Sequence, residues 1–388
     1  MAPAAEGPDT LKKIQIALIV FALIILGGYL VRGQQPGRDS VIEIPHTLEW
    51  AYGIGPTPPR VPGDRRPAPF EGVDPETLLR IPGSGVTTKA STFDRQAQDD
   101  GVKAVADWYP DEHGPMPPIV KFGRKLFNSD GTWDGKEGIR ACGQCHLATG
   151  SGRGENAQPA GLPFAYILLQ MEDFRNGLRA SADPKKDNTH RMISFAKLLT
   201  PEETVAAAEY FAAQPFPQMM RVIESATAPK TRPGGGLFHP LEGPAAGLEP
   251  LGQRIVEIPE DEDRNALRDT KSGYIAYVPI GSIKKGEALV AKGQCESCHG
   301  RYLRGDAPGA PRGKSGPLVP ALAGRSPTYI ARQLFDLQVG VRQGAMSGFM
   351  RPVLVDLSPV DMLNISAYIA TLVPPPVGAA TTMQTASR

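Results

Sequence analysis

The four cysteines of this chain define the chemistry that it can do. They form two copies of the pattern Cys-x-x-Cys-His, which are Cys142, Cys145 and His146 in CGQCH and Cys295, Cys298 and His299 in CESCH. Closely spaced cysteines occur in structural zinc sites, in redox disulfides and at covalently attached haem groups. Because the pattern occurs twice and uses every cysteine, chance is a poor explanation for it.

The spacing favours haem attachment. A short turn can present two thiols to the vinyl groups of one haem edge while the adjacent imidazole is directed at the iron. A zinc ribbon would place its two cysteine pairs about 15–20 residues apart, whereas nearly 150 residues separate these two. A thioredoxin-like pair expects a βαβ context, which neither neighbourhood shows. The sequence therefore predicts two covalently bound haem c groups, with His146 and His299 as iron ligands.

The surroundings of the two motifs repeat each other. AYILLQMEDFRNGLR, residues 165–179, matches TYIARQLFDLQVGVR, residues 328–342, with tyrosine, isoleucine, glutamine, aspartate, glycine and arginine in register. Two flanking pairs are also parallel: FGRKLF (122–127) with KGEALV (285–290), and LLTPEETVAAAEYF (198–211) with DLSPVDMLNISAYI (356–369). We infer two copies of one domain.

Each copy is predicted to contain a helix before the cysteine motif, a loop, a middle helix with the shared tyrosine, a methionine-bearing loop and a final helix. Thr200 and Ser358 are N-cap candidates for the final helices, because each precedes a proline and has an acidic residue three positions later. The predicted fold is mostly α, with long irregular segments that account for 39 prolines and 43 glycines.

These residues together resemble class I cytochrome c, and the pair resembles bacterial dihaem cytochromes c with two tandem domains. The resemblance covers about half of the chain. It implies that a methionine before the last helix is the sixth iron ligand, and the matching positions are Met192 and Met350. A thioether ligand raises the reduction potential of haem iron.

Two alternatives to these methionines stay open. Met346 lies four residues before Met350, and His190 lies two residues before Met192 and would lower the potential if it bound instead. Met171, on the middle helix, is expected in the core.

The resemblance also implies a hydrogen-bond partner for one imidazole. Pro320 matches the family proline whose carbonyl oxygen accepts the N–H of the iron-ligating histidine, here His299. Pro159 is placed differently in the first copy, so the partner of His146 is open. Two tyrosine pairs are expected to pack around the haem groups with their hydroxyls hydrogen-bonded: Tyr166 with Tyr329, and Tyr210 with Tyr368.

Residues 14–31 form an apolar run of 18 positions, interrupted only by Gln15. As a helix this run spans roughly 27 Å, close to the ~30 Å of a bilayer core. The run is longer than a typical signal-peptide core and no small-x-small cleavage site precedes Arg32, so we expect an uncleaved anchor rather than a signal peptide. Lys12 and Lys13 precede the run, and only Arg32 follows immediately after it. Because positive charges favour the cytoplasmic side, this bias predicts a single-pass protein of the cytoplasmic membrane, with its N-terminus in the cytoplasm and its haem domains in the periplasm.

The predicted organisation has six parts. They are an N-terminal transmembrane anchor (1–33), a proline-rich extracytoplasmic extension (34–114), a first cytochrome c domain (115–216), an interdomain segment (217–279), a second cytochrome c domain (280–375) and a C-terminal tail (376–388). The extension is expected to be an extended spacer, except that Trp108 and Tyr109 should pack on the first domain. The interdomain segment contains strand-like RIVEIP and YIAYVPI and should wrap across both domains.

The net charge of +1 gives no support to nucleic-acid binding, but the local charge is uneven. Residues 281–325 hold eight lysines and arginines against three acids, and residues 257–269 hold six acids against two arginines. Two interpretations stay open: the basic surface attracts an acidic redox partner, or the acidic segment folds across it within the molecule.

The sequence therefore predicts a protein that carries single electrons between a redox donor and an acceptor and is not itself an enzyme. One alternative is a fixed cytochrome subunit of a membrane dehydrogenase or oxidase complex. Another is a dihaem peroxidase, which needs an open iron position. No histidine follows His299, so the second haem cannot gain a distal histidine from downstream.

Overall fold

The computed structural model describes residues 43–93, 104–125, 138–234, 236–305, 312–313 and 316–375. From Ile44 onward these residues belong to one compact unit. The predicted anchor and the C-terminal tail lie outside the described residues. Within the described ranges no single helix has both the length and the apolar composition of a membrane span, and one pair of short helices passes that test only together, bent by 115°.

The helices of the described ranges fall into two groups around the cysteine motifs, with one short helix between the groups. They are α1 (Pro118–Lys121), α2 (Cys142–His146), α3 (Phe164–Arg175), α4 (Asp187–Leu198), α5 (Pro201–Ala212), α6 (Glu262–Ala266), α7 (Ser282–Lys292), α8 (Glu296–His299), α9 (Pro327–Gln338), α10 (Ser347–Leu354) and α11 (Pro359–Thr371). Five 3₁₀ segments among the described residues are His46–Tyr52, Ala90–Phe93, Pro110–Glu112, Gly243–Ala245 and Arg301–Leu303.

The strands are short and lie mostly outside the two helical groups. They are β1 (Leu78–Arg80), β2 (Thr87–Lys89), β3 (Gly123–Arg124), β4 (Ile139–Arg140), β5 (Met220–Glu224), β6 (Thr227–Pro229), β7 (Thr231–Gly234), β8 (Leu237–Pro240), β9 (Leu248–Pro250), β10 (Val256–Pro259), β11 (Tyr274–Val278), β12 (Arg312–Gly313) and β13 (Gly316–Pro317). β11 is central to a three-stranded sheet, antiparallel to β10 and parallel to β5. The other pairs are antiparallel: β1–β2, β3–β4, β6–β9, β7–β8 and β12–β13. The strand-like interdomain stretches are therefore strands, as predicted.

The final helices begin where the sequence predicts. The Thr200 hydroxyl accepts the backbone N–H of Glu203 at 3.2 Å, and the Ser358 hydroxyl accepts that of Asp361 at 3.2 Å. In both cases the acidic side chain accepts the N–H of the cap residue in return, which completes a capping box. Each helix thus has its first free N–H groups satisfied by local sequence alone.

The helix predicted at residues 122–127 is wrong over its described part, 122–125, because α1 ends at Lys121 and Gly123 begins β3. Gly123 has a φ of +72°, and a Cβ there would lie 2.2 Å from the carbonyl oxygen of Ile139. The chain therefore turns at Gly123 and pairs with β4. The counterpart α7 is a full helix whose Gly286 allows close crossing with α11, since a Cβ at that position would lie 1.9 Å from the Asn364 carbonyl oxygen.

The two methionine-bearing segments are helices, not the predicted loops. Met192 lies on α4 and Met350 lies on α10. On α4, Arg191 and Asp187 form an ion pair at 2.7 Å, one helical turn apart, which favours the helix. The resemblance to class I cytochrome c predicts a loop at these positions and does not reveal this local preference for a helix.

The prediction of an extended spacer is wrong for residues 46–52. This 3₁₀ segment buries Trp50 and Tyr52 and packs on α9. The Tyr52 hydroxyl donates to Asp336 Oδ1 at 2.8 Å, and Arg332 Nη1 donates to the Ala51 carbonyl oxygen at 2.5 Å. The aromatic side chains gain enough burial to order a proline-rich segment on the second helical group.

Trp108 and Tyr109 are buried, but they pack on the extension and the interdomain segment, not on the first domain as predicted. Both are buried in a cluster with Leu267 of the interdomain segment, and the Trp108 indole N–H donates to the Leu267 carbonyl oxygen at 2.6 Å. The backbone N–H of Val105 donates to the Lys121 carbonyl oxygen at 2.9 Å, which ties the same segment to the first helical group.

The bond between Tyr52 and Asp336 can be tested by removing one hydroxyl. Tyr52→Phe should lower the free energy of unfolding in urea by about 1–2 kcal/mol, because the buried carboxyl group loses a donor. Tyr277→Phe is the matched control, since the hydroxyl of Tyr277, on β11, has no hydrogen bond to any described residue. Equal losses in both variants would show that the bond does not hold the extension.

Candidate cofactor sites

Each cysteine motif lies on a largely apolar cavity. The first cavity has a volume of about 180 Å³ and the second of about 190 Å³. The sulfur and imidazole side chains on the first are Cys142, Cys145, His146, Met171 and Met192. Those on the second are Cys295, Cys298, His299, Met346 and Met350. The structure thus brings together, in each copy, the cysteines, the histidine and the methionine that the sequence singled out.

His299 is held as a metal ligand would be. It is buried, and its Nδ1 lies 2.8 Å from the carbonyl oxygen of Pro320, so Nδ1 carries the proton and donates it. The predicted role of Pro320 is confirmed. Nε2 is buried without a hydrogen-bond partner in the described part of the chain, on the wall of the second cavity. Burial lowers the pKa of the imidazole, which keeps a lone pair on Nε2.

His146 is oriented by a different carbonyl group. Its Nδ1 lies 2.8 Å from the carbonyl oxygen of Ala157, which is two residues before Pro159. Burial lowers the pKa of this imidazole too. Asn156 donates to the carbonyl oxygen of Cys145 at 3.1 Å and so fixes the acceptor segment to the motif. The open question of the His146 partner is therefore answered by a residue that the sequence did not indicate.

The chemistry of the donor atoms argues against a zinc site. Among the described residues there is no group of three or more His, Cys, Asp or Glu side chains that could hold a metal ion. Burial raises the pKa of Cys142 to about 12, so the side chain is a neutral thiol in this apolar site. An apolar cavity with two thiols, one neutral imidazole and a thioether instead fits a haem group.

His190 does not face the first cavity. It is exposed, and its Nε2 lies 2.6 Å from the carbonyl oxygen of Pro184. Met192 lines the cavity, so it is the better placed of the two alternatives. Met171 lines the same cavity and packs on the core of the first helical group, in accordance with the expected core position. Met346 lines the second cavity beside Met350.

The two cavities meet at a group of polar side chains that line both. The shared side chains are Tyr166, Gln170, Tyr329 and Gln333. They lie at equivalent positions of the repeated 15-residue segment, so each copy contributes one tyrosine and one glutamine. The sequence match contains these four positions, but it does not show that the two copies face each other through them.

Two arginines cross between the copies and supply those partners. Arg179 of the first copy donates to the Tyr329 hydroxyl at 3.0 Å, and Arg342 of the second copy donates to the Tyr166 hydroxyl at 2.9 Å. Each arginine also donates to both shared glutamines. Burial raises the pKa of the Tyr166 phenol, but the two guanidinium groups outweigh it and leave that pKa below its ordinary value.

The backbone joins the copies at the same place. Arg179 and Arg342 form an antiparallel bridge. The N–H of Ala180 donates to the Val341 carbonyl oxygen at 2.9 Å, and the N–H of Gln343 donates to the Leu178 carbonyl oxygen at 2.7 Å. These backbone hydrogen bonds therefore fix the position of the inner side of one cavity relative to that of the other.

Lys186 is a second cation that sequence reasoning missed. It is buried on the wall of the first cavity, and burial, together with the charge of Arg332, lowers its pKa to about 7. Its nearest hydrogen-bond acceptor is the Tyr52 carbonyl oxygen at 3.5 Å. No sequence pattern distinguishes this lysine, because its burial depends on the extension folding over it.

The acidic segment does not neutralise the basic surface of the second copy. Its described ion pairs are Glu260–Arg221 at 2.7 Å, Asp263–Arg66 at 3.2 Å and Asp269–Arg264 at 2.5 Å, and a Glu262 carboxylate oxygen lies 3.2 Å from Nδ1 of His239. Glu257 is buried and accepts hydrogen bonds from Ser326 and Thr328. None of these partners belongs to the basic residues of 281–325, so the interpretation of intramolecular masking is wrong for the described side chains.

Comparisons with known proteins place the chain near electron-transfer proteins, although no family model matches it. Cytochrome c4 of Thiocapsa roseopersicina is 36% identical over 101 residues, which are 26% of this chain and 45% of that protein. Cytochrome c-554(548) of Halomonas halodenitrificans is 32% identical over 91 residues, which are 24% of this chain and 96% of that protein. The chain thus spans less than half of the first relative and almost all of the second.

Among solved structures, the thiosulfate dehydrogenase TsdBA from Marichromatium purpuratum overlaps with 63% of this chain and 38% of its own. The sequence identity is 25% and the TM-score is 0.37. A TM-score this low does not establish a shared arrangement.

The crossed arginines can be tested through Arg179. Arg179→Met should lower the free energy of unfolding by about 2–4 kcal/mol, since it leaves the Tyr329 hydroxyl without a donor and removes one of the two arginine donors to each shared glutamine. Arg351→Met is the control, because Arg351 is exposed on α10 and should change stability by no more than about 0.5 kcal/mol. Urea denaturation measures both. A loss at Arg179 as small as that at Arg351 would contradict the role of the crossed contacts.

Proposed function

The chain belongs to the c-type cytochrome family, and on that premise we propose that it is a one-electron carrier with two covalently bound haem c groups. The single observation that carries the proposal is the composition of the two cavities. Each joins a Cys-x-x-Cys-His motif to a thioether on an apolar wall, and His299 leaves a buried Nε2 unpartnered there.

The residues that would hold the first haem are Cys142 and Cys145 as thioether links, with His146 and Met192 as iron ligands. Those for the second are Cys295 and Cys298, with His299 and Met350. When bound, haem iron supplies reversible one-electron oxidation and reduction, at a potential that the thioether ligand raises. Two protein ligands on each haem iron would leave no open position for a substrate, which favours a carrier over a peroxidase.

The protein's own contribution is orientation and exclusion of water. The carbonyl oxygens of Ala157 and Pro320 fix the rotation and the tautomer of the two imidazoles. The apolar walls keep solvent from the site, which favours the neutral imidazole and limits solvent reorganisation when the charge changes.

We further propose that residues 14–31 anchor the protein in the cytoplasmic membrane, with the haem domains in the periplasm. The apolar run and the two lysines before it support this placement. The partners are then a redox donor and an acceptor on that side of the membrane. Solubilisation followed by identification of co-purifying subunits distinguishes a free carrier from the cytochrome subunit of a dehydrogenase or oxidase complex.

The number of haem groups is tested by the pyridine haemochrome assay on the purified chain. We expect two haem c groups per polypeptide. Cys295→Ser combined with Cys298→Ser should leave one, because both thiols of the second site are removed. The corresponding pair of changes at Cys142 and Cys145 should also leave one. A full count of two after either change would exclude that motif as an attachment site.

The methionine ligands are tested by the weak charge-transfer band at the red end of the visible spectrum, which oxidised haem shows when a thioether is bound. Met192→Ala and Met350→Ala should each remove about half of its intensity, since each removes one of the two iron–sulfur bonds proposed here. Met171→Leu and Met346→Leu are the controls and should retain the band. Loss in a control variant would transfer the ligand role to that methionine.

A further inference from the structure

We propose that this chain exchanges electrons with other proteins at one surface only, the outer side of the second cavity, and that the partner is an electron-transfer protein with an acidic face. The proposal rests on the proposed function and adds to it which of the two sites a partner can reach. It follows from a difference between the two copies in what covers their cysteine motifs.

The motif of the first copy is covered by parts of the chain outside the repeat. Gly143 and Gln144 are buried. Arg268 of the interdomain segment donates to the Gln144 carbonyl oxygen at 3.1 Å, and a Cβ on Gly143 would lie 3.1 Å from a methyl carbon of Val105. A partner protein therefore meets the extension and the interdomain segment there, not the motif.

The motif of the second copy is open at the equivalent positions. Glu296 and Ser297 replace Gly143 and Gln144, and both are exposed. Thioether links form at the vinyl edge of haem, so this turn would lie at that edge of the second haem. A partner protein that binds at the turn would exchange electrons through this edge. The edge of the first site is shielded in the same region.

An apolar patch adjoins this open turn. Phe349 and Val353 of α10 are 66% and 42% exposed and line the cavity that the haem would fill, and Val355, at the end of α10, is 67% exposed outside that cavity. A Cβ on Gly293, just before the motif, would lie 3.8 Å from a methyl carbon of Val353, so α10 adjoins the turn. The corresponding position of Val353 in the first copy is Phe195, which is buried in the core. Exposed apolar side chains of this kind mark contact surfaces.

Basic side chains lie on the same segments as the patch and the turn. Six lie on the segments that form this surface: Lys284, Lys285, Lys292, Arg301, Arg304 and Arg351. The described acids on the same segments are Glu287, Glu296 and Asp356, with Asp361 in the capping box of α11. The acidic segment pairs with other groups, so the positive surplus is left for a partner. An apolar centre with a basic rim is complementary to an acidic redox protein.

Electrons reach the first site from within the molecule. The two cavities share their inner walls at Tyr166, Gln170, Tyr329 and Gln333. One electron passes from the reduced partner to the second site, so the partner is oxidised and the chain is reduced by one electron. That electron passes to the first site, and a second partner then reduces the second site, so two partner molecules lose one electron each and the chain gains two.

The test uses the haem-loaded full chain and reduced flavodoxin, an acidic one-electron protein, as the probe. The rim variant combines Lys292→Glu, Arg301→Glu and Arg351→Glu. The control combines Lys185→Glu, Lys197→Glu and Arg60→Glu, which are exposed residues outside this surface and change the net charge equally. Stopped-flow reduction at low ionic strength should be at least about tenfold slower in the rim variant and within about twofold of wild type in the control. The difference should shrink at high salt.

A second readout does not depend on electron transfer. Carbodiimide cross-linking of oxidised chain to oxidised flavodoxin, followed by mass spectrometry, should join flavodoxin carboxyl groups to Lys284, Lys285 or Lys292. Cross-links that map to Lys185 or Lys197 instead would overturn the proposal. Equal reduction rates in the rim variant and the control would also overturn it.

A small neutral reductant separates this proposal from the proposed function. Reduction of two haem groups by that reductant in wild type and in both variants means that the carrier is intact, so the flavodoxin results then bear on the docking surface alone. Failure of the wild-type chain to show two reducible haem groups would instead refute the carrier with two haems on which the docking proposal rests.

Discussion

The structure depends on the crossed contacts of Arg179 and Arg342 between the two copies. A guanidinium group removed from water must have its donors satisfied, and here the acceptors come largely from the opposite copy. Neither copy can therefore satisfy its own arginine in the same way alone. Because the tyrosines and glutamines that accept these bonds also line the cavities, the same contacts fix the inner walls of both sites.

The crossed arginine contacts join equivalent faces of the two copies. The outer faces of the copies differ, because segments outside the repeat cover one of them and not the other. Val105 of the extension and Arg268 of the interdomain segment lie over the first motif, whereas the second motif has an exposed turn. The extension also holds the second copy through Tyr52 and Asp336. A repeated domain with two similar sites thus has one accessible site, because its unrepeated segments are distributed unequally.

Features set by local sequence could be predicted, and features set by distant contacts could not. The caps at Thr200 and Ser358 need only residues within one turn, and the acceptor at Pro320 follows from the resemblance. The bond from Tyr52 to Asp336 joins residues 284 positions apart, and no periodicity encodes it. The acceptor of His146 shifted to Ala157 because the loop of the first copy folds differently.

The distribution of charge also depends on contacts that the composition of the chain does not reveal. The net charge of +1 averages over a strongly acidic segment and a strongly basic one, so it says little about either. The acids of the interdomain segment pair with Arg66, Arg221 and Arg264, which belong to the extension and to that segment itself. Those pairs join the segment to the extension and to itself, while Arg268 joins it to the first copy. Because these acids pair elsewhere, the rim of the second copy keeps its surplus of basic side chains over its own acids, which leaves a positive field there.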